Sequence, residues 1–233
     1  AFSARLLWHG TWSVAGTTYP PLEPLVFYET HSFIPSNHLT SPADRSGPPP
    51  TLSVVGLGRV GLVSPAAATQ LGHCVVGVDE DIGRIERLAA GTSSFREPGL
   101  DDALTDAHAC DLLSAATNTA DAVLESDITL LCVDAASGPD GKPDLAPLRR
   151  AAEEIGAALV LKGRYHLVVV RTTVPPGTTG TLVRETLERA SGQRCGEDFG
   201  LCFQPEFVRE GTALADHFAP SCLVIGAFDE RSR

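Results

Sequence analysis

Methionine is absent from the 233-residue chain, position 1 included, and lysine occurs only at Lys142 and Lys162. The first absence leads us to expect a fragment or a processed product. The second, with a formal net charge of −11, argues against a nucleic-acid partner, because displacing counterions from phosphates takes clustered cations. No apolar run reaches the roughly 18 residues needed to cross a membrane, so no membrane partner is expected. Residues 1–5 lack a charged segment leading into a sustained apolar one, and no secretory signal is expected. None of the six cysteines, Cys74, Cys110, Cys132, Cys195, Cys202 and Cys222, forms a CxxC pair. Four of them, Cys74, Cys132, Cys202 and Cys222, lie in or beside apolar strand-like runs. Buried free thiols in a reducing cytoplasm are therefore expected, rather than zinc ligands or disulfides.

What is there suffices for a core: 43% of the residues are hydrophobic, and the length suits one large domain or one domain plus a tail. Residues 1–50 are rich in Pro, Ser, Thr and aromatics, end in Ser46-Gly47-Pro48-Pro49-Pro50, and show no persistent periodicity. They read as an irregular or disordered leader. A domain over 51–228 and a truncated tail over 229–233 follow.

From Thr51 onward, apolar runs at 52–55, 74–78, 128–133, 167–170, 201–203 and 223–225 read as strands. They do not alternate with polar residues, which suits strands covered on both faces. Helical spacing recurs at 82–90, 145–161 and 178–190, the last entered through Pro175-Pro176-Gly177. The alternation implies an α/β fold, a doubly wound, mostly parallel sheet of the Rossmann kind.

The sharpest local signal is Val54-Val55-Gly56-Leu57-Gly58-Arg59-Val60-Gly61. Gly56 permits the tight turn, Gly58 lets the backbone approach a diphosphate, and Gly61 lets the helix pack close to the strand. The helix start offers free N–H groups and a positive dipole end. Alone, GxGxxG is a weak signal, and a glycine turn with no ligand competes with it. Here a second strand ends in Asp79, 18 residues after Gly61, where a carboxylate can accept both hydroxyls of an adenine ribose. Glu80 adds charge that would repel the extra phosphate of NADP, so the expected cofactor is NAD. Pro65 disagrees: inside the following helix it removes one bond and clashes with the Gly61 carbonyl, at a cost of about 3 kcal/mol, so a kink or a late start is expected.

Three later motifs identify the reaction. Glu97-Pro98-Gly99-Leu100 follows the second helix, and Arg171-Thr172-Thr173-Val174-Pro175-Pro176-Gly177-Thr178 the fourth strand. Gln204-Pro205-Glu206-Phe207-Val208-Arg209-Glu210-Gly211-Thr212-Ala213 follows the fifth. In this order behind GxGxxG, they resemble the UDP-glucose/GDP-mannose 6-dehydrogenase family, over about residues 51–227. The resemblance implies oxidation of a sugar C6 alcohol to a carboxylate with two NAD per turnover, on a nucleotide-sugar substrate. It implies that Arg59 and Val60 meet the diphosphate through backbone N–H groups. Asp79 would hold the adenine ribose, with Arg84 over that end. Thr173 would sit near the nicotinamide. Glu210 would touch substrate and cofactor, and Glu206 would help handle water or protons during thioester hydrolysis. The run from Ser191 to Gly200 resembles the GDP-mannose branch more than the UDP-glucose branch.

Spacing alone offers plainer readings. Glu206 and Glu210, four apart, would share a helix face as solvated groups, and Arg209 could pair with either. Thr173 reads as a turn residue, Arg84 as a solvated helix charge, and Glu97 as an acid stabilised at a helix start. The flanking motif residues outweigh these readings.

The chain also departs from the family pattern. The family nucleophile is a cysteine in a GGxC-type motif further downstream, and no cysteine here has that context. The long central helix that builds the family's dimer is also absent, so the homo-oligomer of the full-length enzymes is not expected from this chain on its own. Asp134-Ala135-Ala136 stands where Gly-Thr-Pro is usual, which removes a hydroxyl and puts a carboxylate near two phosphates. Gln204 replaces an Asn. Three readings follow: the NAD-binding half of a nucleotide-sugar dehydrogenase; a decayed, catalytically inactive nucleotide-binding module; and another dehydrogenase class sharing only the glycine loop. The PEFVREGTA run speaks against the last.

Overall fold

The computed structural model describes residues 48–232, apart from 137, 139, 140 and 221, together with the backbone of three short strands among the first 47 residues. Those strands are β1 (Trp12–Val14), β2 (Thr17–Tyr19) and β3 (Val26–Tyr28). The first two form an antiparallel hairpin, and β3 pairs with the last strand of the chain. Sequence periodicity gave no sign of them, and the rest of the expected leader lies outside the described residues.

The β-branched runs become strands: β4 (Leu52–Val55), β5 (Val75–Val78), β7 (Ile128–Leu131), β8 (Leu167–Val170), β9 (Gly200–Phe203) and β10 (Leu223–Ala227). A seventh, β6 (Leu113–Ala116), comes from a small-residue run without the apolar signature. Strands β4 and β5 are buried at every position, as runs without polar alternation require. With β3 they form an eight-stranded sheet in the order β3-β10-β9-β8-β7-β4-β5-β6. Strands β4 to β9 are all parallel to their neighbours, while β10 runs antiparallel to β9 and β3. Starting from β4, the parallel block has the doubly wound dinucleotide-binding order, and β4 and β7 lie side by side where the winding reverses.

Seven helices cover the two faces: α1 (Arg59–Gln70), α2 (Ile82–Ala89), α3 (Leu100–Ala109), α4 (Thr119–Glu125), α5 (Ala146–Lys162), α6 (Arg184–Ser191) and α7 (Ala213–Phe218). A π-helical turn over Thr179–Val183 leads into α6, so the helix expected over 178–190 has two parts. On one face Val54, Leu130 and Cys132 pack with Leu62 of α1 and Leu104 of α3. On the other, Val55, Leu131 and Val170 pack with Ile155 and Leu159 of α5 and Leu187 of α6. Each fully buried aliphatic side chain contributes about 1.5–3 kcal/mol.

Two sequence expectations are corrected. Helix α1 starts at Arg59, directly after the loop, and continues unbroken through Pro65. Packing makes up for the missing donor, since nine of its residues, from Gly61 to Thr69, are buried. The cysteines do not all lie inside: Cys132 and Cys202 are buried, Cys195 and Cys222 half-buried, and Cys74 and Cys110 exposed. Cys74 precedes β5 instead of belonging to it, and Cys110 terminates α3.

Candidate functional site

The glycine loop joins β4 to α1. Gly56 has φ 94°, and a Cβ on it would lie 2.8 Å from the Cys132 carbonyl carbon and the Val133 nitrogen. Only glycine lets the end of β4 turn this close to the end of β7. At Gly61 a Cβ would lie 1.7 Å from the Gly56 oxygen, so α1 packs against its own entry turn. Gly58 is the N-cap of α1, with no side-chain capping bond and no acid in the first turn. The helix mouth therefore keeps its amides for a ligand.

Beside this mouth, at the carboxyl ends of β4, β5 and β7, lies a crevice of about 610 Å³. Gly56, Gly58, Asp79, Arg84, Asn118, Cys132, Asp134 and Glu154 are among the residues lining it. Asp79 ends β5. Its Oδ2 accepts from Leu57 N at 2.6 Å and from Arg84 at 3.1 Å, and its Oδ1 accepts from Asp81 N at 2.8 Å. The carboxylate is thus locked in orientation, with its edge in the crevice, and Arg84 of α2 is its partner instead of a solvated charge. Thr117, Asn118 and Thr119 reach the crevice from the loop between β6 and α4. Sequence reasoning missed this wall because it missed β6; the signal available was Asn118, whose side chain accepts from Ala120 N as the α4 N-cap.

The second group of expected residues lies on the loops after β8 and β9. Glu206 and Glu210 share no helix face, because residues 204–209 have no regular structure and α7 begins only at Ala213. Glu206 accepts from Val208 N at 2.8 Å. Glu210 pairs with Arg59 of the glycine loop at 2.6 Å, and the Arg59 guanidinium also lies 5.2 Å from the Phe95 ring centre. The ion pair ties the loop after β9 to the helix mouth, although both side chains are more than half exposed and the pair contributes little to stability. Thr173 is exposed just beyond β8, while its neighbour Thr172 is buried and donates to Val133 O at 2.8 Å. Thr173, Glu206 and Glu210 do not line the crevice. Val60 stands in the first turn of α1, half-buried.

Glu97 is a correction. It stabilises a helix start, but a distant one: Oε2 accepts from Gly211 N at 2.9 Å and Oε1 from Ala213 N at 2.8 Å. This buried carboxylate holds the 204–213 loop and caps α7. Gln204 is accounted for as well, since its Oε1 accepts from Arg171 at 2.8 Å. Arg171 is itself buried, its Nε without a hydrogen-bond partner. Burial, together with the nearby Arg171 charge, depresses His217 to about 4. Burial pushes Cys132 and Cys202 up to about 12, so neither supplies a thiolate.

The model of the UDP-glucose/GDP-mannose dehydrogenase family, NAD binding domain, matches residues 50–233. The chain belongs to this dehydrogenase family. It is similar to the GDP-mannose 6-dehydrogenase of Pseudomonas aeruginosa, with 39% identity over 181 residues that make up 78% of this chain and 42% of that one. Among solved structures, it is similar to a UDP-glucose dehydrogenase from Pyrobaculum islandicum at a TM-score of 0.76 and 44% identity, covering 81% of this chain and 43% of that one. A ternary complex of GDP-mannose dehydrogenase from Pseudomonas aeruginosa matches at a TM-score of 0.77 and 39% identity, over 78% of this chain and 42% of that one. The chain thus spans less than half the length of these dehydrogenases and carries their NAD-binding domain. No helix among the described residues is long and apolar enough to cross a membrane.

Proposed function

We propose that the chain is the NAD-holding half of a nucleotide-sugar 6-dehydrogenase that oxidises the C6 alcohol of GDP-mannose or UDP-glucose to the carboxylate, a polysaccharide precursor. The observation that carries this reading is Asp79 fixed in the crevice beside Gly56 and Gly58, at the point where the sheet's winding reverses. The residues present fit the cofactor: an uncapped helix mouth for a diphosphate, a bare Gly58 for its approach, and a locked carboxylate for a ribose. Bound there, NAD would supply the hydride acceptor.

In this reading the amides of Arg59 and Val60 face the diphosphate, Asp79 takes the ribose hydroxyls, and Arg84 covers the adenine end. Thr173 lies on the nicotinamide side. Glu210 meets substrate and cofactor, and Glu206 moves protons or orders water. None of the six cysteines has a GGxC setting, so the thioester step belongs to sequence that this chain does not contain. The segment that resembles the GDP-mannose branch, 191–200, precedes β9 and so sits at the amino end of the sheet, opposite the crevice. It marks kinship and does not touch the sugar. In the full-length enzyme we expect a homo-oligomer in a reducing cytoplasm, where six unpaired thiols persist.

Titration calorimetry of NAD into the purified chain tests the reading. Saturable binding in the wild type that disappears in Asp79→Ala supports it; no saturable nucleotide binding overturns it. A second reading, a nucleotide-binding module with no catalytic role, is favoured by one observation, the carboxylate of Asp134 beside Gly58.

A further inference from the structure

Asp134 follows β7, and Gly58 follows β4, the strand next to it. A Cβ placed on Gly58 would lie 2.7 Å from Asp134 Oδ2, so a carboxylate covers the bare face that the glycine presents. Both residues line the crevice. No cation offsets this charge nearby. Four carboxylates, from Asp79, Glu80, Asp134 and Glu154, line the crevice, against the single guanidinium of Arg84. Arg84 is committed to Asp79 at 3.1 Å, and Arg59 is turned away onto Glu210. The far wall is different in kind. Thr117, Asn118 and Thr119 offer neutral polar groups, and Asp79 offers acceptors for hydroxyls.

Taking the crevice as a nucleotide site, as proposed above, we infer that Asp134 makes it select ligands by charge: it accepts the neutral adenosine portion and penalises the diphosphate of a dinucleotide. A diphosphate on Gly58 would bring two negative charges within a few ångströms of a third. At such distances, near a protein surface, like charges alter affinity by factors of ten or more. Adenosine has no charge to place there. Asp134 thus acts as a specificity-determining residue that lowers NAD occupancy without altering the ribose end.

The test is calorimetric titration of wild type, Asp134→Asn and Asp134→Ala with NAD and, separately, with adenosine, at low and high potassium chloride. Asparagine keeps the shape and removes the charge. We expect Asp134→Asn to tighten NAD at least about tenfold and to change adenosine less than about twofold. The gap between wild type and variant in NAD affinity should narrow at high salt, since screening weakens only the charge effect. Wild type provides a measure that needs no variant to fold: adenosine should bind at least as tightly as NAD. Equal NAD affinity in wild type and Asp134→Asn would overturn the inference while leaving the nucleotide site intact. So would wild-type NAD binding more than about tenfold tighter than adenosine. If neither ligand binds any of the three proteins, the nucleotide reading falls, and the inference with it.

Discussion

At the residue scale, the glycine loop and the acid that follows it show how much a few positions decide. A methyl group on Gly61 would overlap the Gly56 carbonyl, and no flexible side chain is available to yield. Gly61→Ala should therefore cost about 3 kcal/mol or more, read as a lower urea midpoint with an unchanged slope. Asp79→Ala should behave differently: its partners are a loop amide and a half-exposed arginine, so the fold should survive while nucleotide binding is lost. Circular dichroism and calorimetry on one preparation separate the two outcomes. Both positions are legible in sequence because their roles rest on local spacing. For Asp134 only the placement near a strand end could be read. Its contact with Gly58 arises because β4 and β7 are neighbours, and no residue pattern states which strands adjoin.

At the element scale, the sheet was legible wherever β-branched residues ran together, and lost where they did not. Leu113-Ser114-Ala115-Ala116 carries almost no strand signature, yet β5 supplies a ready edge and the run pairs with it. Helices α4 and α7, of seven and six residues, are too short to display a period. Nor does composition disclose that β10 runs against its neighbours. Helix α7 and the loop before it depend on Glu97, so Glu97→Ala should leave the Gly211 and Ala213 amides unpaired. We expect a loss of about 2 kcal/mol in a thermal or urea melt, with faster proteolysis within residues 204–212. If protease sensitivity there does not change, Glu97 does not organise the loop.

At the scale of the whole molecule, acid stability is set first by histidine. His166 lies fully buried with Nε2 against Thr129 Oγ1 at 2.7 Å, in a hydroxyl network that runs on through Ser53 to Ser126. Burial, reinforced by the Lys162 charge, lowers it from 6.5 to about 3. Its native pKa is below the unfolded one, so its contribution is complete above 6.5 and is lost as pH falls from 6.5 toward 3. Between pH 7 and pH 5 the chain should lose about 2 kcal/mol through His166. Half-buried His217 adds a smaller loss in the same direction. Asp101 and Asp216, held below the ordinary carboxylate value by bonds from Ser93 and Arg209, act only at more acid pH, as the unfolded carboxylates begin to protonate. Urea midpoints at the two pH values should show the drop, and His166→Gln should flatten it by roughly the same 2 kcal/mol.

The clasp between Glu97 and the segment around Gly211 spans 114 positions of sequence. Synthesis delivers the carboxylate early and its amides late. The phosphate-binding turn and the strands beside it can assemble while translation is still under way. The PEFVREGTA loop has nothing to grip until Ala213 leaves the ribosome, so any release of the chain before that point yields a sheet without the anchored loop that the chemistry requires.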